Sequence, residues 1–280
     1  MISSCIKQKM VQAIFFLFVL ILLLFIMLPF IWQILTSVKP MAEINLMPAK
    51  WIPSKINPQF YINVFTKRPF SRYLLNSLIV ASITTITSIF IGSLAAYALA
   101  RLKFAGKKLL LAAVLTVSMF PPIATISPMF LFLRNFKLIN TYAGLVIPYT
   151  TFALPFTIWL LTNFFHDIPK GFEEAAYIDG CSVFRTYFTI ILPLAAPGLF
   201  SSALLTFITS WNEFLYALTF MTKDLMRTVP VGIALFPGKY DLPWGDMAAA
   251  SIVVTVPLIV MVLIFQRQII AGLTNGGVKE

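Results

Sequence analysis

The chain has 280 residues, of which 59% are hydrophobic, 15% aromatic and only 11% charged, with a mean hydropathy of +0.90. Soluble domains carry about 25% charged residues, and outer-membrane barrels alternate apolar and polar residues over ~10-residue strands; the long continuous apolar runs here exclude both. The net charge of +11 comes from lysines and arginines at the ends of those runs and in short loops, not on one basic face, which argues against nucleic acid and for a polytopic all-α membrane protein.

Six runs approach or exceed the ~20 residues that span the hydrocarbon core as helix: 11–38, 73–100, 109–133, 143–165, 191–220 and 246–268. Lys7 and Lys9 precede the first. It is far longer than the ~7–15-residue apolar core of a signal peptide and has no small-residue cleavage site, so it reads as a retained span. The connection 39–72 is polar and punctuated by Pro40, Pro48, Pro53, Pro58 and Pro69, the pattern of an ordered external loop. Residues 101–108 cluster Arg101, Lys103, Lys107 and Lys108. In the third run Pro121, Pro122 and Pro128 remove backbone donors and predict a kink. Loop 134–142 is short, loop 221–245 carries Pro230, Pro237 and Pro243, and a tail follows the last run. The expected organisation is a first span and external loop (1–72), a transmembrane domain (73–266) containing a polar loop (166–190), and a C-terminal tail (267–280). Lys/Arg totals on the two sides are nearly even, but the density at 101–108 favours both termini inside. Cys5 and Cys181 then lie on the cytoplasmic side, where a disulfide or metal site is not expected.

The segment 166–190 is polar and helix-prone in a chain otherwise nearly all apolar. Pro169 suits the first turn of a helix and Asp167 is placed to cap it. Glu173 and Glu174 fall at that helix's positive end. Ala175 and Ala176 form helix with little bulk, so a partner can approach the backbone. After Asp179, Gly180 permits a sharp bend; a second short helix follows over 182–189, and Ile190, Leu192 and Pro193 lead into the next span, with Pro193 beginning it. The expectation is a helix–turn–helix along the membrane surface that fits a groove on a partner. The alternative is an amphipathic helix that only anchors the loop in headgroups, made less attractive by two glutamates facing anionic lipid.

Polar residues inside lipid are costly and point to function, though many only join helices. Thr206, Thr209, Ser210 and Glu213 recur on one face of the fifth run, beside Trp211 and Asn212, and Tyr149 stands out in the fourth with Thr150, Thr151 and Asn163. Glu213 must face protein or water. It reads as a pathway or gate residue, with a helix–helix hydrogen bond as the alternative. His166, at a span end beside Asp167, reads as an interface residue. No phosphate-cradling Gly-x4-Gly-Lys-Ser/Thr stretch exists, nor a nucleophile–base pair or metal-ligand cluster. No catalytic residue, metal or cofactor is therefore expected, and energy from ATP would have to enter through another subunit.

The spacing Glu174-Ala175-Ala176, three residues, Gly180, nine residues, Ile190-x-Leu192-Pro193 matches at every position the loop signature of the integral-membrane subunits of binding-protein-dependent ABC importers. Ser210-Trp211-Asn212-Glu213-Phe214, Asn76-Ser77-Leu78, Ala95-Ala96-Tyr97-Ala98-Leu99-Ala100-Arg101 and Pro155-Phe156-Thr157-Ile158-Trp159-Leu160 also look like that family. From about 73 to 265 the chain resembles the maltose-type carbohydrate permeases, in particular the smaller six-helix partner of the pair. The resemblance implies a type I ABC importer permease fold in the bacterial cytoplasmic membrane, forming half of a pathway for a sugar, oligosaccharide or glycoside. It implies a homologous second permease, two cytoplasmic ATPase subunits and an extracytoplasmic solute-binding protein docking on 39–72 and 221–245. Glu174 would pair with a basic residue in the ATPase cleft, and Asn275, Gly276 and Gly277 of the tail would reach toward the ATPase dimer interface. Glycerol phosphate or another polyol is the alternative substrate. A secondary transporter is the alternative class; it would need an ion relay, for which Glu213 is the sole support.

Overall fold

The computed structural model describes residues 2–236 and 242–274, with side chains over 9–236 and 242–266; the expected tail contacts of Asn275, Gly276 and Gly277 lie outside them. Among the described residues all regular structure is helical. In chain order the elements are α1 (Ile2–Ser37), α2 (Met41–Ile44), α3 (Gln59–Thr66), α4 (Phe70–Arg101), α5 (Lys107–Ser118) and α6 (Pro122–Asn135). There follow α7 (Ala143–Asp167), α8 (Gly171–Ile178), α9 (Val183–Leu194), α10 (Ala196–Trp211), α11 (Leu215–Phe220), α12 (Val229–Ala234) and α13 (Trp244–Thr274). Four helices are long and apolar enough to cross a membrane, and six spans result if the bent pairs α5–α6 and α9–α10 each count as one.

The kink expected in the third run is an 89° bend between α5 and α6. It falls where Pro121, which has no N–H, sits extended at φ −61°, ψ 126° ahead of Pro122. The fifth run departs from expectation twice. Pro193 lies in the last turn of α9 rather than beginning the span, and the chain bends by 76° at Ala195. Pro197, in the first turn of α10, starts the new helix without needing its absent N–H. The run also stops at Trp211 instead of reaching 220. The Glu213 carboxylate accepts the N–H groups of Tyr216 (2.8 Å) and Ala217 (3.2 Å), competing with the main chain and opening α11.

The chain packs as two compact units, one within 1–68 and 235–255, the other within 69–234 and 256–280. In the first unit the loop after α1 is tied down at several points, as its prolines suggested. The Ser37 and Tyr61 hydroxyls bond at 2.9 Å, Asn57 N–H donates to the Val38 carbonyl at 2.8 Å, and Asn63 donates to Asp246 at 3.2 Å. Glu43 accepts from Ser54 and Lys50, and those bonds, Ser54 first, hold its carboxyl down at about 2. Along α1 itself, none of the most apolar window is buried.

The second unit is built on α4. Its buried face carries Ser77, Ala81, Thr84, Ser88, Gly92, Ser93, Ala96 and Ala100, a stripe of small residues at helical spacing that lets α7 and α10 approach closely. Hydrogen bonds cross the same layer: Thr87 to Thr150 at 3.0 Å, Thr157 to Thr206 at 3.3 Å and Tyr187 to Ser93 at 2.8 Å. One aromatic-rich core lies around Tyr149, Tyr216 and Phe220, and another around Tyr97, Phe165 and Tyr187.

Candidate functional site

The polar loop forms the expected helix–turn–helix. No side chain caps α8: Lys170 occupies its N-cap, and Asp167 is the last residue of α7, so the expected Asp167 cap is not made. At the other end Gly180 adopts φ +80°. The Gly180 and Cys181 N–H groups bond back to the Tyr177 (3.1 Å) and Ala176 (2.9 Å) carbonyls, a left-handed helix stop that glycine takes without strain. Ser182 caps α9 by accepting the Arg185 N–H at 3.4 Å. From Tyr187 to Ile191 the helix widens into a π turn.

The two adjacent glutamates point to different surroundings. Glu174 is exposed. Glu173 is buried and ion-paired with Arg101 at 2.9 Å, the two side chains only 8% and 7% exposed, while the Arg101 guanidinium also donates to the Ile168 carbonyl at 2.7 Å. Glu173 is therefore an anchor, not part of the outward face. Ala176 is buried too, leaving Ala175 as the small exposed residue. Around Glu174 and Asp179 the outward surface carries Phe172, Tyr177, Val183, Phe184 (70% exposed) and Ile178 (86% exposed). A shallow groove of about 450 Å³ runs along the loop between Pro169, Phe172, Ala175, Asp179 and Ile190. Leu192 is half-buried and Pro193 exposed.

A second feature is a cleft of about 370 Å³ between α7 and α10. Tyr149, Thr206, Ser210 and Glu213 line it together with Phe152, Phe156 and Tyr216. Glu213, outside any helix, bonds to the Tyr149 hydroxyl, which donates to its Oε2. Thr206 shares its hydroxyl with Thr157. The cleft thus presents aromatic faces and a few hydroxyls around one fixed carboxylate. Of the other sequence candidates, Trp211 is buried against Phe207, the rings 5.6 Å apart and near parallel; Asn212 is exposed and bonds back to the Ile208 carbonyl. Neither lines the cleft.

Sequence reasoning missed the residues that hold these features in place. Arg101 stood out in sequence as part of a basic cluster and as the end of a family-like stretch, not as an ion-pair partner, although an arginine that closes an apolar helix beside a polar loop is a signal for one. Asn76 donates to the Leu225 (2.9 Å) and Arg227 (2.8 Å) carbonyls and accepts from Tyr142 at 2.9 Å, and the Ser77 hydroxyl accepts the Val229 N–H at 2.9 Å. Together they fasten the segment before α12 to α4.

Residues 88–275 match the family model described as binding-protein-dependent transport system inner membrane component. The chain is 44% identical over 254 residues to the trehalose/maltose transport system permease protein MalG of Thermococcus litoralis, covering 90% of this chain and 91% of that protein. It is also 44% identical over 255 residues to the trehalose transport system permease protein SugB of Mycobacterium tuberculosis, covering 90% and 92%. In fold it is similar to a chain of a bacterial ABC transporter involved in the import of the acidic polysaccharide alginate, with a TM-score of 0.81 at 20% identity, covering 93% of this chain and 97% of that one. The signature around Glu174, the six spans counted with their two bends, and these relatives agree: the chain belongs to the family of inner-membrane components of binding-protein-dependent transport systems.

Proposed function

We propose that this chain is one of two homologous membrane subunits of an ATP-driven importer, forms half of the path for a carbohydrate, and is moved by cytoplasmic ATPases through the loop around Glu174. The observation that carries this reading is the loop's construction. An exposed carboxylate and an apolar crest face outward, while Glu173 is locked to the end of α4 by Arg101. A subunit docked on Glu174, Ala175, Ile178 and Phe184 would therefore pull on α4, and through Ile190 and Leu192 on α9. The loop and both termini are cytoplasmic in this reading, in the cytoplasmic membrane, and ATP hydrolysis belongs to the separate subunits.

Carbohydrate as the cargo class is supported by the names of the two relatives, which concern trehalose and maltose. The cleft adds a chemical argument: Phe152, Phe156 and Tyr216 offer faces to sugar rings, and Ser210, Thr206 and Glu213 offer hydroxyl and carboxylate partners. An extracytoplasmic binding protein would deliver the cargo, docking on the 39–72 and 221–245 loops.

Affinity purification of the tagged chain from native membranes, followed by uptake of labelled trehalose and maltose into proteoliposomes, tests this. Co-purification of an ATPase and a second permease, both lost in Glu174→Lys, with ATP-dependent sugar uptake by the intact assembly, is the expected result. A chain that purifies alone and moves solute without ATP overturns it.

A further inference from the structure

In the first unit, a cleft of about 400 Å³ opens between the C-terminal end of α1, the end of α2 and the first turns of α13. It is lined by Trp32, Gln33, Lys39, Asn45, Trp244 and Ser251, among others. Neither the coupling loop nor the cargo cleft uses it, although Lys39 and Asn45 belong to the 39–72 loop assigned above to the binding protein.

Lys39 is only 2% exposed, and its ammonium lies 4.0 Å from the centre of the Trp32 ring. A buried ammonium is expensive unless an anion accompanies it. The two described carboxylates of this unit are engaged elsewhere: Glu43 with Ser54 and Lys50, and Asp246 with Asn63. No described carboxylate comes within 4.0 Å of Lys39. Burial holds its pKa below the usual lysine value despite the field of Glu43. Gln33 and Asn45 add amide donors that have no hydrogen-bond partner among the described residues.

We propose that this cleft binds the phosphate of an anionic phospholipid headgroup, with the Lys39 ammonium against the phosphate and Gln33 and Asn45 donating to its oxygens. The chemistry the site asks for is a phosphate anion; the surroundings select a lipid as its source. The cleft opens where the 29-residue apolar stretch Lys9–Ser37 ends. Trp32, Trp51 and Trp244 gather there, Trp51 packing edge-on to Trp32 at 4.9 Å, as indoles do at the boundary between headgroups and acyl chains. Basic pockets between spans hold anionic headgroups by the same physics.

The test uses the purified full chain, in whatever assembly it is extracted, incubated in detergent with phosphatidylglycerol or phosphatidylcholine, with retained lipid counted by native mass spectrometry. Wild type should retain phosphatidylglycerol in preference. Lys39→Met should lose about tenfold or more of that retention, the value of one charge-assisted hydrogen bond, and Lys39→Arg should keep it. Quenching of tryptophan fluorescence by brominated phosphatidylglycerol, weaker in Trp32→Phe, gives a second readout should Lys39→Met extract poorly. Equal retention of the two lipids by wild type, or undiminished phosphatidylglycerol on folded Lys39→Met, overturns the proposal. Inorganic phosphate that displaces the lipid at low concentration overturns the lipid as the source and makes the site one for a soluble anion.

Discussion

Arg101 and Glu173 meet 2.9 Å apart across 72 residues of sequence, joining the end of α4 to the first turn of α8. Both side chains are almost fully buried, so removing one partner strands the other charge, at a cost of about 3–5 kcal/mol. Arg101→Ala should lower the melting temperature and weaken transport. The double change to Arg101→Leu and Glu173→Leu should recover most of the stability. Thermal melts in detergent beside uptake assays check both; a fully stable Arg101→Ala would show that the pair bears no load.

Glu174 sits one residue away and behaves oppositely. It is exposed and unpaired among the described residues, so Glu174→Lys should change stability by less than about 0.5 kcal/mol. Transport should nonetheless be lost if this carboxylate meets the ATPase. A melt unchanged with uptake abolished is the expected signature. A melt that drops as far as that of Arg101→Ala would make Glu174 structural.

Glu213 bonds the Tyr149 hydroxyl and the Tyr216 and Ala217 N–H groups. Glu213→Ala leaves those donors in a largely apolar place at about 1–3 kcal/mol. Glu213→Gln keeps one acceptor oxygen and should lose less. If the carboxylate also touches cargo, Glu213→Gln should raise the KM for sugar more than its small stability loss accounts for. Melting curves and uptake kinetics on the two variants separate the roles.

Gly198 lies where α10 crosses α7: a methyl group there would come within 2.4–2.7 Å of the Phe164 ring. Gly198→Ala should destabilise by about 1–3 kcal/mol through overpacking. Pairing it with Phe164→Ala should relieve the clash, so the double variant should be more stable than the sum of the single changes. A double-mutant cycle by thermal melting measures the coupling.

Glu43 supplies a pH dependence. Its carboxyl is held at about 2, below the ordinary 4.5, first by Ser54 and then by Lys50. A depressed folded pKa stabilises fully above the unfolded value and loses that contribution as pH falls toward 2. Hydrogen exchange over residues 43–54 should therefore stay protected from neutral pH to about pH 4.5 and rise below it. Ser54→Ala should leave that onset in place, because the unfolded value sets it, and should shrink the acid-induced rise as the folded value moves back toward 4.5.

The continuous apolar runs made the spans legible, and the paired Pro121 and Pro122 announced the bend between α5 and α6. The loop was legible because its signals are local: glutamates early, then a glycine that stops the helix. Two classes of fact were not. The break after Trp211 comes from a side chain, Glu213, taking backbone donors, and nothing in an apolar run forecasts it. Which of Glu173 and Glu174 faces inward depends on Arg101, and the work of Asn76 depends on carbonyls 149 and 151 residues away; neither partner can be read from neighbours in sequence.

The π turn at Tyr187–Ile191 makes α9 a helix with an extra residue wound into it. One residue is about 100° of rotation in an α-helix, so this turn, by absorbing its extra residue, preserves the angular phase between the loop and everything beyond Ala195. Deleting a single residue there would regularise the coil with little change of that phase, whereas inserting a further residue beside it would swing the outward face of the loop by that angle while leaving every side chain of α8 intact. In such a helix, the direction in which force is delivered is stored as a count of residues.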